Sequence, residues 1–191
     1  MPILGIVASS NYQRVAPDTG AMFPLGMVQV GSAGSASISF TSIPATYKHL
    51  QIRAISRSDR ASAAGDGMIV RFNSDSGSNY AYHYLQGDGA SATAGADSSV
   101  TSMIIPRSGS ASQTAGIFGV TVLDLLDYAN TSKYKTIRTL GGNDVNGSGI
   151  VALFSGLWQN TNAITSITID QQNGPNFVQY SQFALYGIKG A

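Results

Sequence analysis

Cysteine and glutamate are both absent from this 191-residue chain, and lysine is confined to Lys48, Lys133, Lys135 and Lys189. Without cysteine there is no disulfide framework and no thiolate metal site, so stability has to come from packing, with oligomerisation as a further source. All ten acidic residues are aspartate. Glu and Lys normally populate exposed helical faces because their unbranched side chains lose little rotamer freedom there, so their scarcity argues against helices. Charge is scarce as well. A net charge of +1 with a pI near 8.0, carried by scattered cations, provides no field to hold a phosphate backbone and argues against a nucleic-acid partner. No apolar run approaches the roughly 18 residues of a membrane span, so membrane insertion is not expected.

What replaces the missing residue types is Ser, Thr, Gly and Asn, which favour turns and strand surfaces. Several segments alternate apolar and polar residues with period two, the pattern of a strand with one buried face. Lys48 to Ser56 is the clearest: Leu50, Ile52 and Ala54 share one face, His49, Gln51 and Arg53 the other. Further candidate strands are Met27 to Val30, Ser37 to Thr41, Met68 to Phe72, Tyr80 to Leu85, Thr101 to Ile105, Gly116 to Leu126, Thr136 to Leu140, Ile150 to Trp158, Ala163 to Asp170 and Gln182 to Ile188. Turn-forming clusters separate them, among them Gly87-Asp88-Gly89, Gly141-Gly142-Asn143-Asp144, Asn146-Gly147-Ser148-Gly149 and Asn173-Gly174-Pro175. A turn of helix at Val122 to Ala129 is the minority alternative to strand there. Many short strands at near-regular spacing predict an all-β chain, a jelly-roll-like antiparallel β-sandwich spanning residues 27–191 as a single domain. Residues 1–26 read as an N-terminal extended arm and linker. The start loosely resembles a signal peptide but has no basic leader and too short an apolar stretch, so Ile3, Leu4, Ile6 and Val7 are expected to form an assembly arm that packs against the body or a neighbouring subunit, with a disordered tail as the alternative.

Ser74 to Gly116 is rich in Ser, Ala and Gly and reads as long surface loops, where a recognition surface is expected. Within it Tyr80, Tyr82 and Tyr84 alternate along an extended segment. They predict either an aromatic face for recognition or interface contact, or simple packing, since tyrosine joins a large apolar area to a hydroxyl that wants a partner. Trp158, near Phe154 and Leu157, is expected in the core.

The inventory for catalysis is thin. His49 and His83 are the only histidines, there is no G-x-S-x-G elbow, and His49 lies on the polar face of its strand pattern. Asp124 and Asp127 are the nearest carboxylate pair in sequence, but paired aspartates at a strand end read as turn-formers that bond nearby backbone amides. Asn73, Asp75 and Asn79 stand at alternating offsets like calcium-loop ligands, yet the glycine is misplaced and the bidentate Glu is missing, so Asx turns are expected. No catalytic residue, cofactor site or metal site is assigned, and no cofactor is expected.

Three blocks carry a family resemblance: Met1-Pro2-Ile3-Leu4-Gly5-Ile6, then Ser42-Ile43-Pro44-Ala45-Thr46-Tyr47-Lys48-His49-Leu50-Gln51-Ile52-Arg53, then Phe183-Ala184-Leu185-Tyr186-Gly187-Ile188-Lys189-Gly190-Ala191. Arg71 through Tyr84 and Asp127 through Thr136 add to it. Together these blocks resemble a family of small, mostly uncharacterised bacteriophage virion proteins. The resemblance implies a non-enzymatic structural protein on the exterior of the phage particle, assembled in the host cytoplasm beside other virion proteins. By family analogy it implies a homo-oligomer, a trimer. Two placements follow. One is an external capsid decoration, cement or head-fibre component; the other is a tail-associated receptor-binding module, an adhesin or tail fibre, recognising a host surface glycan. The shortness of the chain and its lack of a coiled-coil or collagen-like shaft favour the first.

Overall fold

Period-two alternation in the sequence becomes a set of strands that each bury one face. The structure, a computed structural model, describes residues 21–61, 63 and 65–190. In chain order its strands are β1 (Met22–Gln29), β2 (Ser37–Phe40), β3 (His49–Ser56), β4 (Asp66–Phe72), β5 (Tyr80–Gly87), β6 (Ala92–Val100), β7 (Met103–Ser108), β8 (Gly119–Leu126), β9 (Lys135–Asp144), β10 (Gly149–Trp158), β11 (Ile167–Gln171) and β12 (Gln182–Ile188). None of the described residues is helical. The chain is therefore all-β, as its composition predicts.

The strands form two antiparallel sheets packed as a β-sandwich. The large sheet runs β1-β12-β3-β8-β9-β10-β5-β6, and the small one β2-β11-β4-β7. β7 lies against β8, β9, β10 and β5, which sets the small sheet over the middle of the large one. Between them sit Leu50 and Ile52 of β3, Leu123 and Leu125 of β8, Ile137 of β9 and Phe183 of β12, facing Val70, Phe72, Met103 and Ile169 of the small sheet, all fully or almost fully buried. Trp158 joins this core as expected, its ring 5.6 Å from Phe72 and 6.4 Å from Tyr80. At the centre Gly156 stands under Met103: a Cβ there would lie 1.7 Å from the Met103 sulfur.

Two cations are buried by backbone carbonyls alone. The Lys135 ammonium donates to the carbonyls of Asn130, Lys133 and Thr161, and the Arg57 guanidinium donates to those of Gln113, Thr114 and Ile117. Each ties a connecting loop to the sandwich by charge-assisted bonds.

The structure corrects the sequence reading at four places. The first strand starts at Met22 instead of Met27, so residues 22–26, assigned to the arm, belong to the sheet; Met22 pairs with Ile188 and Phe23 with Gly187. Pro24 hid this, yet β1 is an edge strand, where a missing N–H is tolerated, and the register shifts between Pro24 and Gly26. Ile3, Leu4, Ile6 and Val7 lie outside the described residues. Second, within Ser74 to Gly116, read as long surface loops, β5 and β7 follow the strand candidates Tyr80 to Leu85 and Thr101 to Ile105, but β6 is a further strand where loop was expected. β6 pairs with β5 at the sheet edge and leaves most side chains in water, so backbone bonding defines it and no apolar pattern announces it. Third, Gly141-Gly142-Asn143-Asp144 is no turn but the end of β9. A Cβ at Gly141 would lie 2.3 Å from the Val120 carbonyl, and one at Gly142 1.9 Å from that of Ile150; these glycines permit close strand approach. Fourth, the strand sought over Ala163 to Asp170 starts only at Ile167. The strand expected over Val122 is present in place of the helical alternative and ends at Leu126, where Asp127 adopts a φ of 49°.

Candidate functional site

β5 presents Tyr80, Tyr82 and Tyr84 on one face, as alternation requires, but that face is turned toward the small sheet. Tyr80 and Tyr82 are buried and Tyr84 is half-buried, its ring 5.3 Å from Phe154. The Tyr80 hydroxyl accepts from the Phe72 N–H at 3.0 Å and donates to the Asp75 carbonyl at 3.1 Å. The Tyr82 hydroxyl donates to Asp97 Oδ2. Burial pushes the Tyr80 hydroxyl up to about 12; burial, then the bond to Asp97, raises Tyr82 as well. Of the two readings of this face, packing describes Tyr80 and Tyr82, and no exposed aromatic platform exists there.

The Asn73/Asp75/Asn79 turn is likewise occupied from within. Asp75 accepts from the Gly77 N–H, the Asn79 amide and, at 2.8 Å, the Trp158 indole N–H. Burial pushes its carboxyl up, but these bonds outweigh it and hold the group below its usual range. Asn73 Oδ1 accepts from the N–H groups of Thr165 and Ser166. The expected Asx turn at Asp75 is present. Asp124 and Asp127 sit apart in role: Asp124 Oδ1 accepts from Gln51 Nε2 at 2.8 Å, while Asp127 is paired with Lys133 and with Lys48. Those two lysines, Lys133 first, pull the Asp127 carboxyl down to about 2. His49 Nδ1 accepts the Asp127 N–H at 3.0 Å, and His83 is exposed on β5. Among the described residues no three His, Cys, Asp or Glu side chains gather as metal ligands.

What the structure exposes is the opposite side of the large sheet. The register places Arg53, Val122, Leu140, Leu153 and Leu85 in one row across β3, β8, β9, β10 and β5. A parallel row holds Ile55, Val120, Gly142 and Val151. Leu140 is 56% exposed, Val151 60%, Leu85 55% and Val120 54%. Gly141 and Gly142 lie in the lining of a groove of about 850 Å³ that takes in Val120, Val122, Leu140 and Val151 and extends past the second row to Asp144 and to the glycine-rich turns at 87–89 and 147–149. On one flank runs a polar row, Gln51, Asp124, Arg138, Ser155 and His83; on the other, Asp144 closes β9. Arg53 Nε donates to Gln51 Oε1 at 2.9 Å, and its guanidinium lies 5.9 Å from the Tyr186 ring.

A sheet facing only water on its outer side would carry polar residues there. The two rows, apolar apart from Arg53 and Gly142, depart from that pattern, and exposed apolar patches of this kind are a feature of interaction surfaces. The sequence held a signal for this face. Val120-Thr121-Val122-Leu123 and Ile150 through Phe154 are almost uninterruptedly apolar, the pattern of a strand buried on both faces. Reading only for alternation passes over it. No protein-family model, curated protein or solved structure matches this chain.

Proposed function

We propose that the chain is a non-enzymatic structural protein of the bacteriophage virion, a component of the particle exterior of the capsid decoration, cement or head-fibre kind. The observation that carries the reading is the apolar outer face of the large sheet. An assembly module needs broad contact surface and no cofactor, and exposed apolar patches larger than a few hundred Å² mark interaction sites. The family resemblance of the N-terminal, Ser42–Arg53 and C-terminal blocks supplies the virion setting, and β-sandwiches recur in viral coats. In this reading the partners are other virion proteins and further copies of the chain, and the chain is assembled in the host cytoplasm.

The alternative, a tail-associated adhesin for host glycan, loses its leading residues, because the rings of Tyr80 and Tyr82 are buried. Immunogold electron microscopy of intact particles, with antibody against the recombinant protein, tests the proposal. Label over the head is the expected result. Label at the tail favours the adhesin, and particles that carry no label overturn the virion assignment.

A further inference from the structure

We infer that the outer face of the large sheet pairs with the same face of a second copy of this chain, across a two-fold axis passing at Gly141 of β9. The inference rests on reading this face as an assembly surface; it does not depend on where on a particle the protein sits. Three observations select the occupant.

The first is self-complementary shape. Leu140 and Gly142 stand on either side of Gly141 along β9, one an exposed side chain and the other a glycine in the lining of the groove. A two-fold axis lying in the interface and across the strands at Gly141 carries Leu140 of each copy over Gly142 of the other. It also lays Val120 over Val122 and Val151 over Leu153, because Val120 and Val151 are level with Gly142 while Val122 and Leu153 are level with Leu140. Isologous interfaces need this kind of self-fit.

The second is charge. Arg138 and Asp144 are both exposed and stand equally far from Gly141 in opposite directions. The same axis sets Arg138 of each copy against Asp144 of the other, two opposite-charge contacts per dimer. A two-fold axis along β9 would instead stack Arg138 on Arg138 and Leu140 on Leu140, so electrostatics and shape choose the same arrangement.

The third is extent. Strands about 4.8 Å apart and rising about 3.3 Å per residue give the five central strands a face of roughly 600 Å² in projection. That is on the scale of a specific interface, which buries about 800 Å² of accessible surface on each partner. Sheets packed face to face keep their strands within about 30° of each other, so the fit is closest at β9 and loosens outward. Two-fold pairing also departs from the trimer that the family resemblance implies.

Sedimentation equilibrium of the full chain tests this. The wild type is expected to be a dimer at micromolar concentration. Arg138→Asp alone and Asp144→Arg alone each set like charges against each other twice, and each is expected to weaken the dimer tenfold or more. The double variant, with both substitutions in one chain, restores opposite charges and dimerisation. Mixing the two single variants should yield a heterodimer, which shows at once that both are folded. A wild-type monomer, a trimer, or a dimer indifferent to these charges overturns the inference. Particle labelling is scored independently, so a chain that decorates particles yet stays monomeric sinks the pairing and leaves the virion proposal standing.

Discussion

The Trp158 indole N–H donates to Asp75 Oδ2 at 2.8 Å, joining the end of β10 in the large sheet to the turn that follows β4 in the small one. The bond crosses the sandwich at its most aromatic point, where Phe72 and Tyr80 flank the indole. Trp158→Phe keeps the apolar volume nearly intact but leaves a carboxylate oxygen short of its donor. We expect a loss of about 2 kcal/mol, combining a charge-assisted hydrogen bond with a small cavity. Urea denaturation followed by circular dichroism measures it. A loss below the experimental scatter would show that Asn79 and the Gly77 N–H satisfy Asp75 without the indole.

Gly156 and Met103 form a second cross-sandwich pair. A methyl group at position 156 would run into the buried Met103 side chain, so Gly156→Ala should destabilise by about 1–3 kcal/mol through overpacking. Met103→Ala alone opens a cavity and should cost about 2–5 kcal/mol. The combined variant should cost clearly less than the sum, since the added methyl moves into the vacated space. Strict additivity in a double-mutant cycle would contradict the contact.

Alkaline pH should unfold the protein through its buried tyrosines. Tyr80 titrates near 10.0 when exposed and near 12 in the folded chain, and Tyr82 is shifted the same way. Between those values the unfolded state has released protons that the folded state retains. Their contribution is therefore intact below pH 10 and lost as pH rises through the folded values. Lys135, held below its usual 10.5 by burial and then by the Lys133 charge, acts in the opposite sense up to that pH. A titration of phenolate absorbance should show a late fraction that appears together with unfolding, and Tyr82→Phe should shrink it. Phenolate appearing in one early step, before unfolding, is the contrary result.

Acid sensitivity should trace to Asp127. Lys133 and then Lys48 hold its carboxyl near 2, against 3.8 unperturbed. Its contribution is present above pH 3.8 and fades as pH falls toward 2. Because the group is solvent-accessible, salt should weaken the effect. Asp127→Asn should flatten the stability profile between those two pH values at low ionic strength. An unchanged profile would place the acid-sensitive group elsewhere, Asp75 being the next candidate.

The sandwich was legible in the sequence because alternation is a one-strand property. Leu50, Ile52 and Ala54 point inward as their spacing requires, and Trp158 lies where its apolar neighbours put it. β6 was not legible, because an edge strand of Ala, Gly and Ser is specified by what it pairs with and not by what it buries. The tyrosines of β5 show the limit of face assignment. Alternation grouped them correctly, but which side of a sheet meets the other sheet depends on partners distant in the chain. The outer apolar face is the same lesson inverted: its rows assemble from β3, β8, β9, β10 and β5, and no single strand displays them.

β1 and β6, at the two ends of the large sheet, differ in what they offer to a neighbouring strand. β1 is interrupted at Pro24 and its register slips there, while β6 is a run of small and polar side chains whose register with β5 shifts beside Tyr80. Neither presents a long, uninterrupted ladder, so the large sheets of two molecules have little means to zip together edge to edge. Any contact made through the large sheet is thereby steered away from open-ended strand addition at its ends and toward its flat face, where pairing can close and stop.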